Sequence, residues 1–325
     1  MREVTTWRRE GLLQVRVPLP FPLRWVNAYV IRGDQGYTIL DPGLHTPEAE
    51  ALWDSVLREE GILDDQVEQV VLTHFHPDHY GMAGWFQERT GAPVLLSEEG
   101  CHIASLLWGL DQPMTRLLTD CFAQHGLPAE LQEQMTKHMD GFVQWVSPQP
   151  KLTPLQLRTG DTIRLGDRLY EAIETPGHAS GHLCFYNREA KEIFCGDHVI
   201  SHISPNVGYT PGDHPNPLQQ FIESLQAVAH LEVDIAYSGH REPLTNFNER
   251  VQELMEHHDE RLAHMENLLQ ESKTAYELCV AVFGTRLTIH QLRFALAETL
   301  AHILYLQSQD RVKQTEQDGK IYFQS

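Results

Sequence analysis

The chain has 325 residues, of which 41% are hydrophobic and 22% are charged, so it is long enough for one large domain with a smaller one. With 25 Lys and Arg residues against 45 Asp and Glu residues, its formal net charge is −20. This acidity repels phosphate backbones and anionic lipid, both of which need a basic surface, and it disfavours nucleic-acid and membrane-surface partners.

The cysteines and the amino-terminal segment indicate a soluble cytoplasmic protein. The five cysteines are odd in number and none forms a Cys-x-x-Cys pair, which favours a reduced protein over a disulfide scaffold. The amino-terminal segment has no apolar stretch long enough for a signal peptide. No apolar run reaches the length of a membrane span. We therefore expect a cytoplasmic location without a membrane partner.

The first part of the chain predicts strands followed by strand–helix alternation. Runs rich in apolar and β-branched residues predict strands at 12–19, 25–33, 37–43, 67–72 and 93–97. Helical spacing predicts a helix over 47–60, which Thr46 and Pro47 begin. A second helix is predicted after residue 76 and extends to about Thr90. This order indicates an α/β layer with its chemistry at the carboxyl ends of strands.

A helical segment rich in Leu, Met and aromatic residues interrupts the strands over 99–147. Ordinary packing between helices explains any single one of these apolar residues better than contact with a ligand does. As a group, however, an inserted helical segment beside an active site often acts as a lid. We therefore expect residues 99–147 to form a helical lid.

The second part of the chain mirrors the first and then becomes helical. Strands are predicted at 155–158, 162–166, 168–177, 182–187, 192–197 and 233–240, with a helix over 217–231. A long helix over about 246–272 is followed by two shorter helical stretches and a hairpin that turns at Asp318-Gly319. These patterns predict a main domain over 1–245 and, over 246–325, the long helix with a small winged-helix-like module.

Four potential metal ligands follow the strand over 67–72, in the segment VVLTHFHPDHYG. They are His74, His76, Asp78 and His79. Such a group cannot all pack as core residues, because each polar side chain would then need its own buried partner. Imidazole together with carboxylate suits zinc, and iron or manganese is also compatible.

Three further candidates stand at the ends of later predicted strands, each directly after a glycine. They are His178 in ETPGH, Asp197 in FCGD and His240 in AYSGH. A glycine allows close approach or unusual backbone geometry beside a ligand. The seven residues agree in type, spacing and placement, and together they predict a metal site with two ions.

The motif THFHPDH resembles the T-H-x-H-x-D-H signature of the metallo-β-lactamase superfamily. The segments LDPG, TPGHASGH, CGD and SGH are similar to its other motifs and follow in the same order. The resemblance covers roughly the first 245 residues and implies an α/β fold, a four-layer αβ/βα sandwich with the metals at the sheet edges. The tail is similar to a winged-helix extension of one branch, which includes β-lactamase-like thioesterases and an endoribonuclease.

The resemblance also implies a role for each site residue. One metal would bind His74, His76 and His178, the other would bind Asp78, His79 and His240, and Asp197 would bridge them. Asp41 of LDPG would orient a ligand rather than bind metal, although it also suits a turn before Pro42. His182 would pack behind the ligands.

Two adjacent divalent cations, expected to be zinc, lower the pKa of a bridging water and make hydroxide available near neutral pH. This hydroxide would attack a carbonyl or phosphoryl centre while a metal stabilises the oxyanion. Asp78 would accept the proton of the nucleophile and pass it to the leaving group. The expected enzyme is a binuclear metal-dependent hydrolase.

Two arginines bear on the substrate. Arg241 follows His240, where the family often has glycine, and would either clamp a carboxylate or phosphate or pair outward with Glu242. Arg293 is the only Lys or Arg in the predicted recognition helix of the tail. Because a DNA reader needs several positive or amide groups, we expect the tail to pack, to shape the pocket or to form a homodimer, and nucleic acid is disfavoured.

Three functions fit the sequence. The leading hypothesis is hydrolysis of a small-molecule carboxylic ester, thioester or lactone, with the lid over an acyl group. The second is phosphodiester cleavage in RNA, against which the acidic charge argues. The third is a mononuclear iron sulfur-dioxygenase built on the same ligand framework.

Overall fold

Two β-sheets face each other in the computed structural model, which describes residues 4–109 and 113–325. The sheets share a buried core in which residues of the first sheet, such as Tyr29 and Val71, lie with residues of the second, such as Phe185 and Phe194. Successive strand residues point to opposite faces, so Cys184 and Ile193, beside these last two, pack on the outer side. Each sheet therefore has an inner face toward its partner and an outer face toward helices.

The first sheet has seven strands, which lie side by side in the order of the chain. They are β1 (Thr5–Arg9), β2 (Leu12–Pro18), β3 (Trp25–Arg32), β4 (Tyr37–Leu40), β5 (Val67–Val71), β6 (Val94–Ser97) and β7 (Leu152–Leu155). Strands β1 to β4 pair antiparallel, and β4 to β7 pair parallel. The parallel strands place their carboxyl ends along one edge of this sheet.

The second sheet has five strands in the order β12-β11-β10-β9-β8. They are β8 (Thr162–Leu165), β9 (Arg168–Glu174), β10 (Leu183–Asn187), β11 (Glu192–Gly196) and β12 (Ile235–Ser238). Strand β12 pairs parallel to β11, and the other pairs are antiparallel. The connections that leave β9, β11 and β12 therefore meet at one edge.

Helices cover the outer face of each sheet. They are α1 (Pro47–Glu59), α2 (Pro77–Tyr80), α3 (Ala83–Thr90), α4 (Glu98–Trp108), α5 (Pro113–Gln124), α6 (Ala129–Asp140), α7 (Pro217–Val228), α8 (Phe247–Leu268), α9 (Ala275–Phe283) and α10 (Ile289–Ser308). Trp53 of α1 and Phe86 of α3 are buried against the first sheet, and Phe221 of α7 is buried against the second. The expected four-layer αβ/βα sandwich is confirmed.

The predicted lid consists of α4, α5, α6 and a 3₁₀ turn over Gly141–Val146. The Trp108 indole donates to the Phe75 carbonyl at 3.1 Å, and His45 N donates to the Trp145 carbonyl at 3.0 Å. Both contacts reach loops that flank α2. The helical character predicted for 99–147 is therefore found in the described part of this segment, and its last turn packs against α2.

After α8, the chain forms α9, α10 and a hairpin of β13 (Lys313–Gln317) and β14 (Lys320–Gln324). Asp318 and Gly319 turn this hairpin with positive φ values of 51° and 72°. This is the predicted order of elements, and the winged-helix interpretation stays a prediction. Residues of α8, α9 and α10 share one apolar core with the outer face of the second sheet. The division at 245/246 also stays a prediction.

Two sequence-based predictions need correction. The helix predicted up to Thr90 is two helices, α2 and α3, because Met82 N donates to the Gly43 carbonyl at 2.8 Å instead of continuing one helix. The strand predicted at 155–158 lies at Leu152–Leu155 and pairs with β6 in the first sheet. The chain thus returns from the lid to the sheet that it left.

Among the described residues, no helix combines the length and the apolar character that crossing a membrane requires.

Candidate metal centre

The seven predicted ligands come together at the edge where strands of both sheets end. His74 and His76 follow β5, and Asp78 and His79 lie in the short helix α2. The other three follow β9, β11 and β12, and they are His178, Asp197 and His240. Residues up to 166 positions apart in the chain thus share one site, because parallel and adjacent strands deliver their carboxyl ends to one edge.

Among the described residues, three groups of three have side-chain donors within 4.8 Å of one another, and one of them joins Asp41 to His74 and His79. The other two are a first set of His74, His76 and His178 and a second set of Asp78, His79 and His240. These are the two groups that the family resemblance implied. In the first, His76 Nδ1 and His178 Nε2 are 2.9 Å apart, and in the second, His240 Nε2 and Asp78 Oδ2 are 3.1 Å apart.

Asp197 lies between the two sets. Its Oδ2 is 3.7 Å from His178 Nε2 and 3.3 Å from His240 Nε2, and its Oδ1 is 3.4 Å from His79 Nε2. One carboxylate is therefore near donors of both sets, which is the geometry that a bridging ligand needs.

The hydrogen bonds of the imidazoles show which nitrogen is free. His178 Nδ1 donates to the Asn206 carbonyl at 2.7 Å, and His240 Nδ1 donates to the Trp25 carbonyl at 3.1 Å, because a carbonyl oxygen only accepts. His79 Nδ1 lies 2.9 Å from the Asp41 carboxylate and donates to it. In all three rings, Nδ1 is thus occupied and Nε2 faces the site, so Nε2 is the nitrogen that a metal would bind.

His74 is held in the same way by Thr73. The Thr73 hydroxyl donates to Asp41 Oδ2 at 2.7 Å, so it can only accept from His74 Nδ1, which lies 2.9 Å away. Asp41 also accepts from Thr73 N at 2.8 Å. Both of its oxygens are therefore used by Thr73 and His79, which supports the expected orienting role rather than direct binding of metal.

Within the described part of the chain, three buried polar atoms of the site have no hydrogen-bond partner: His74 Nε2, His79 Nε2 and Asp197 Oδ1. Buried polar atoms in native proteins are almost always paired, so three orphans in one place need an explanation. Coordination of divalent cations satisfies all three, and nitrogen with carboxylate oxygen is a donor set that such cations accept. The residues present fit a metal centre.

The charges in the site support this interpretation. Burial and neighbouring imidazoles hold the pKa of His74 and of His76 well below the usual range, so these rings are neutral. Burial alone would lower the pKa of His240 and of His79, but the neighbouring carboxylates outweigh it. Asp197 and Asp78 raise the pKa of His240 to about 10. Asp197 and Asp41 raise the pKa of His79 well above its usual value. The carboxylates thus attract positive charge, which a metal ion supplies in place of these protons.

His182 packs behind the ligands, as the resemblance implied. Its Nε2 accepts from Asp197 N at 3.3 Å, so its Nδ1 carries the proton and donates to the Thr175 hydroxyl at 2.8 Å. It belongs to neither ligand set. Its contacts hold the backbone of Asp197 in place.

Two of the glycines that precede ligands are required by close contacts. A Cβ on Gly239 would lie 2.3 Å from Asp197 Oδ1 and 2.5 Å from His79 Cε1. A Cβ on Gly196 would lie 2.7 Å from both His182 Nε2 and the Thr73 hydroxyl oxygen, and its φ is +45°. A side chain at either position would displace a ligand or a residue that orients one.

Arg241 does not form the outward ion pair that was one alternative for it. Glu242 pairs with Arg8 at 3.1 Å and also with Arg16. Arg241 Nε is buried and finds no hydrogen-bond partner in residues 4–109 and 113–325, and the Arg241 backbone has a positive φ of 67°. The alternative in which Arg241 binds an anionic substrate group therefore remains.

Sequence reasoning assigned no role to Thr73, Asn206 or Trp25, although each holds a ligand histidine. Thr73 precedes the first ligand and is part of the recognised motif, so its position was a usable signal. Asn206 and Trp25 act through their backbone carbonyls. Every residue has such a carbonyl, so the residue type gave no signal of this role.

A sandwich that gathers imidazoles and carboxylates at one sheet edge is the architecture of a metal-dependent hydrolase, and comparisons with known proteins agree. Residues 23–240 match the model of the metallo-beta-lactamase superfamily, and residues 262–325 match that of the metallo-beta-lactamase-like C-terminal domain. The chain belongs to the metallo-beta-lactamase superfamily and is a metallo-hydrolase.

Similar proteins cover nearly the whole chain. A crystal structure of a metallo-beta-lactamase family protein from Thermus thermophilus is 34% identical, with a TM-score of 0.85, over 98% of this chain and 99% of that one. The "Probable metallo-hydrolase YqjP" of Bacillus subtilis is 25% identical over 97% of this chain and 98% of its own length. The "Atrochrysone carboxyl ACP thioesterase" of Passalora fulva is 23% identical over 94% of this chain and 75% of its own length.

Proposed function

We propose that this chain is a binuclear zinc-dependent hydrolase of a carboxylic ester, thioester or lactone. The observation that carries the proposal is the position of Asp197, whose Oδ2 lies 3.7 Å from His178 Nε2 and 3.3 Å from His240 Nε2. A carboxylate placed between two complete three-residue sets supports a pair of ions rather than one.

Zinc is proposed from the donor set. Five imidazoles and two carboxylates are nitrogen-rich, and zinc binds such mixtures readily. Iron and manganese accept the same donors, so a metal-substitution series belongs to the test. When bound, a pair of divalent cations supplies water of lowered pKa and a Lewis acid for an oxyanion.

Asp78 is the side chain that we propose for proton transfer. Its side chain is 21% exposed, whereas those of Asp197 and His240 are 8% and 2% exposed, so Asp78 is the one that a substrate can reach. Burial alone would raise the pKa of Asp78, but the hydrogen bond with His240 and the charge of His79 outweigh burial and hold this pKa below its usual range. An ionised Asp78 accepts a proton from the nucleophile and returns it to the leaving group.

An acyl substrate is proposed from the lid and from a relative. The 3₁₀ turn that ends the lid packs against α2, which carries Asp78, and it contains the apolar rings of Phe142 and Trp145. Apolar walls beside polar catalytic groups suit an acyl chain or aromatic acyl group. The Passalora fulva relative is named as a thioesterase that acts on a carrier-bound acyl group, which supports the thioester in particular.

The test is hydrolysis of a substrate panel by protein of known metal content. Acyl-thioesters, aryl esters and lactones are assayed with zinc, iron or manganese, alongside an RNA oligonucleotide and a persulfide with oxygen-uptake measurement. We expect zinc-dependent hydrolysis of an acyl compound and two metal ions per chain. Cleavage of RNA alone, oxygen uptake with the persulfide, or full activity with one ion per chain would contradict the proposal.

A further inference from the structure

Aromatic rings from three separate segments meet beside the metal centre. The ring of His290, in the first turn of α10, stacks on Phe21 from the loop between β2 and β3, with centroids 4.7 Å apart and planes at 7°. It lies parallel to Phe142 of the lid at 5.9 Å and 9°. Phe142 also meets Trp145 edge to face at 4.9 Å. The carboxyl-terminal helix thus forms one wall of the site.

Arg293, one turn further along α10, lies within this aromatic group. Its guanidinium carbon is 4.0 Å from the Phe294 ring centroid and 5.4 Å from that of Phe142. Its Nε is buried and has no hydrogen-bond partner among the residues that the structure describes. Across residues 4–109 and 113–325, no acidic side chain lies within ion-pair distance of its guanidinium. Ring faces attract a cation, but they do not satisfy its N–H donors.

The acid that α10 does carry is used elsewhere. Glu298 lies 3.4 Å from Arg261 of α8 and accepts from the Asn206 amide at 2.9 Å. It is therefore paired with α8 and with the loop that holds His178. A partly buried guanidinium without a counter-charge is costly, and the helix offers its one acid to other groups.

The charge of Arg293 interacts with Asp78 of the metal centre. Burial lowers the pKa of Arg293 to about 10, and Asp78 opposes that shift, so the side chain is protonated at neutral pH and close enough to Asp78 to interact with it. Asp78 acts on His290 in the same direction. The geometry agrees, because the Arg293 guanidinium carbon lies 5.4 Å from the ring of Phe142, in the 3₁₀ turn that packs against the helix carrying Asp78.

We propose that Arg293 binds an anionic oxygen group of the substrate, a carboxylate or a phosphate, beside the bond that is hydrolysed. This inference rests on the proposed function and adds to it a preference for substrates that carry an anionic group. The planar guanidinium matches the paired oxygens of either group, and the rings of Phe142 and Phe294 hold it in place. In a thioester, the anion has two sources: a carboxylate on the acyl part or a phosphate on the thiol part.

The experiment uses metal-loaded protein and thioesters matched in pairs. One pair carries a glutaryl or a pentanoyl group on the same thiol, and the other carries the same acyl group on 4′-phosphopantetheine or on pantetheine. We expect kcat/KM of the anionic member to exceed that of its neutral partner by about 10- to 100-fold in one pair. The pair that shows this preference identifies the source of the anion.

Variants assign the preference to Arg293. Arg293→Gln is expected to lose most of the ratio between the anionic and neutral substrates, and Arg293→Lys, which keeps the charge without the planar group, is expected to keep part of it. Arg286→Gln removes an exposed arginine just before α10 and should keep the full ratio. Equal hydrolysis of both members by the unmutated protein, or an equal loss on both in the Arg293 variants, would overturn the inference.

Equilibrium binding separates this inference from the proposed hydrolysis. Titration calorimetry with glutarate and with 4′-phosphopantetheine requires no turnover, and Arg293→Gln should weaken binding of one of them by at least tenfold. If hydrolysis fails but this binding loss is found, the proposed function is wrong and the anion site stands. If the unmutated protein binds neither anion, the anion site is wrong whatever the enzyme hydrolyses.

Discussion

In four of the five candidate ligand histidines, the contact made by the second ring nitrogen fixes how the ring can act. His178 and His240 are held by backbone carbonyls, whereas His74 and His79 are held through Thr73 and Asp41. Each contact selects one tautomer and one orientation of the ring. The donors of the site are therefore directed inward before any metal arrives, which reduces the conformational freedom that binding must remove.

The Asp78→Ala substitution should abolish turnover and leave the fold intact. The side chain is 21% exposed, so its removal creates little buried cavity, but it removes the proposed proton-transfer group. We expect kcat to fall by about 100-fold or more. Steady-state kinetics, circular dichroism and metal content measured on the same preparation check this, and undiminished kcat at full metal content would refute the assigned role.

The Asp41→Asn substitution should weaken metal binding without unfolding the chain. Asparagine tolerates the positive φ of 52° at this position, but it no longer offers the carboxylate that orients His79. Loss of such an outer contact weakens metal affinity by about 10- to 100-fold. Competition with a fluorescent chelator measures this, and the exposed Asp34→Asn serves as control. Equal affinities in the two variants would show that Asp41 does not orient a ligand.

At the scale of elements, α10 connects the carboxyl-terminal segment to the centre in two ways. Its amino-terminal turns carry His290 and Arg293, which lie against Phe142 beside the centre, and Glu298 contacts Asn206, whose carbonyl holds His178. The helix therefore does more than cover the second sheet. Its position should affect both the proposed anion site and the loop that holds His178.

Helices α8 and α10 also share a buried histidine pair that makes stability depend on pH. His302 Nδ1 donates to the Glu298 carbonyl at 2.8 Å, so its Nε2 accepts from His258 Nδ1 at 3.2 Å. This arrangement needs both rings neutral. Burial, with each ring's neighbours, lowers the pKa of His258 to about 2 and that of His302 to about 4, from 6.5 in the unfolded chain.

Below pH 6.5, the unfolded chain binds more protons at this pair than the folded chain, so the free energy of unfolding should fall as pH falls. Each ring contributes a loss of about 2 kcal/mol at pH 5. Urea denaturation between pH 7.5 and pH 5 measures the slope. His258→Leu should flatten it, and His264→Leu, at an exposed position of the same helix, should not. Identical slopes in both variants would contradict the assignment.

At the scale of the whole molecule, the metal centre joins the two sheets. Its ligands come from loops of both, so ions bound there connect halves that otherwise meet through the apolar core. Metal binds the folded chain only, since the unfolded chain does not bring these residues together. Bound metal should therefore stabilise the global fold as well as support activity.

We expect the melting temperature to rise with zinc and to fall with EDTA. A ligand at 100 times its dissociation constant adds about 2.7 kcal/mol to the free energy of unfolding. Differential scanning calorimetry across a zinc series measures this, with hydrolysis assayed on the same samples. The EDTA-treated protein should be inactive and should recover with zinc. Full hydrolysis by protein shown to contain no metal would contradict the mechanism.

Much of the fold followed from local patterns. The segments around Thr46-Pro47 and Asp318-Gly319 were placed correctly because a helix start and a hairpin turn depend on neighbouring residues alone. The course of the chain around Met82 and the sheet that receives β7 were not, because each is decided by a hydrogen bond to a distant segment. Local periodicity contains no information about such partners.

The sequence by itself singled out the candidate ligand residues. Four of them crowd after one strand, and the other three each follow a glycine at a later strand end, a pattern with few other uses in a folded chain. Only the tertiary structure decided which side chains orient them and what lines the substrate space. Asn206 acts through a carbonyl that every residue possesses, and in the sequence Arg293 was only the one basic residue of a helix well beyond the last predicted ligand. Contacts of this kind arise from packing between distant segments, and no single stretch of chain encodes them.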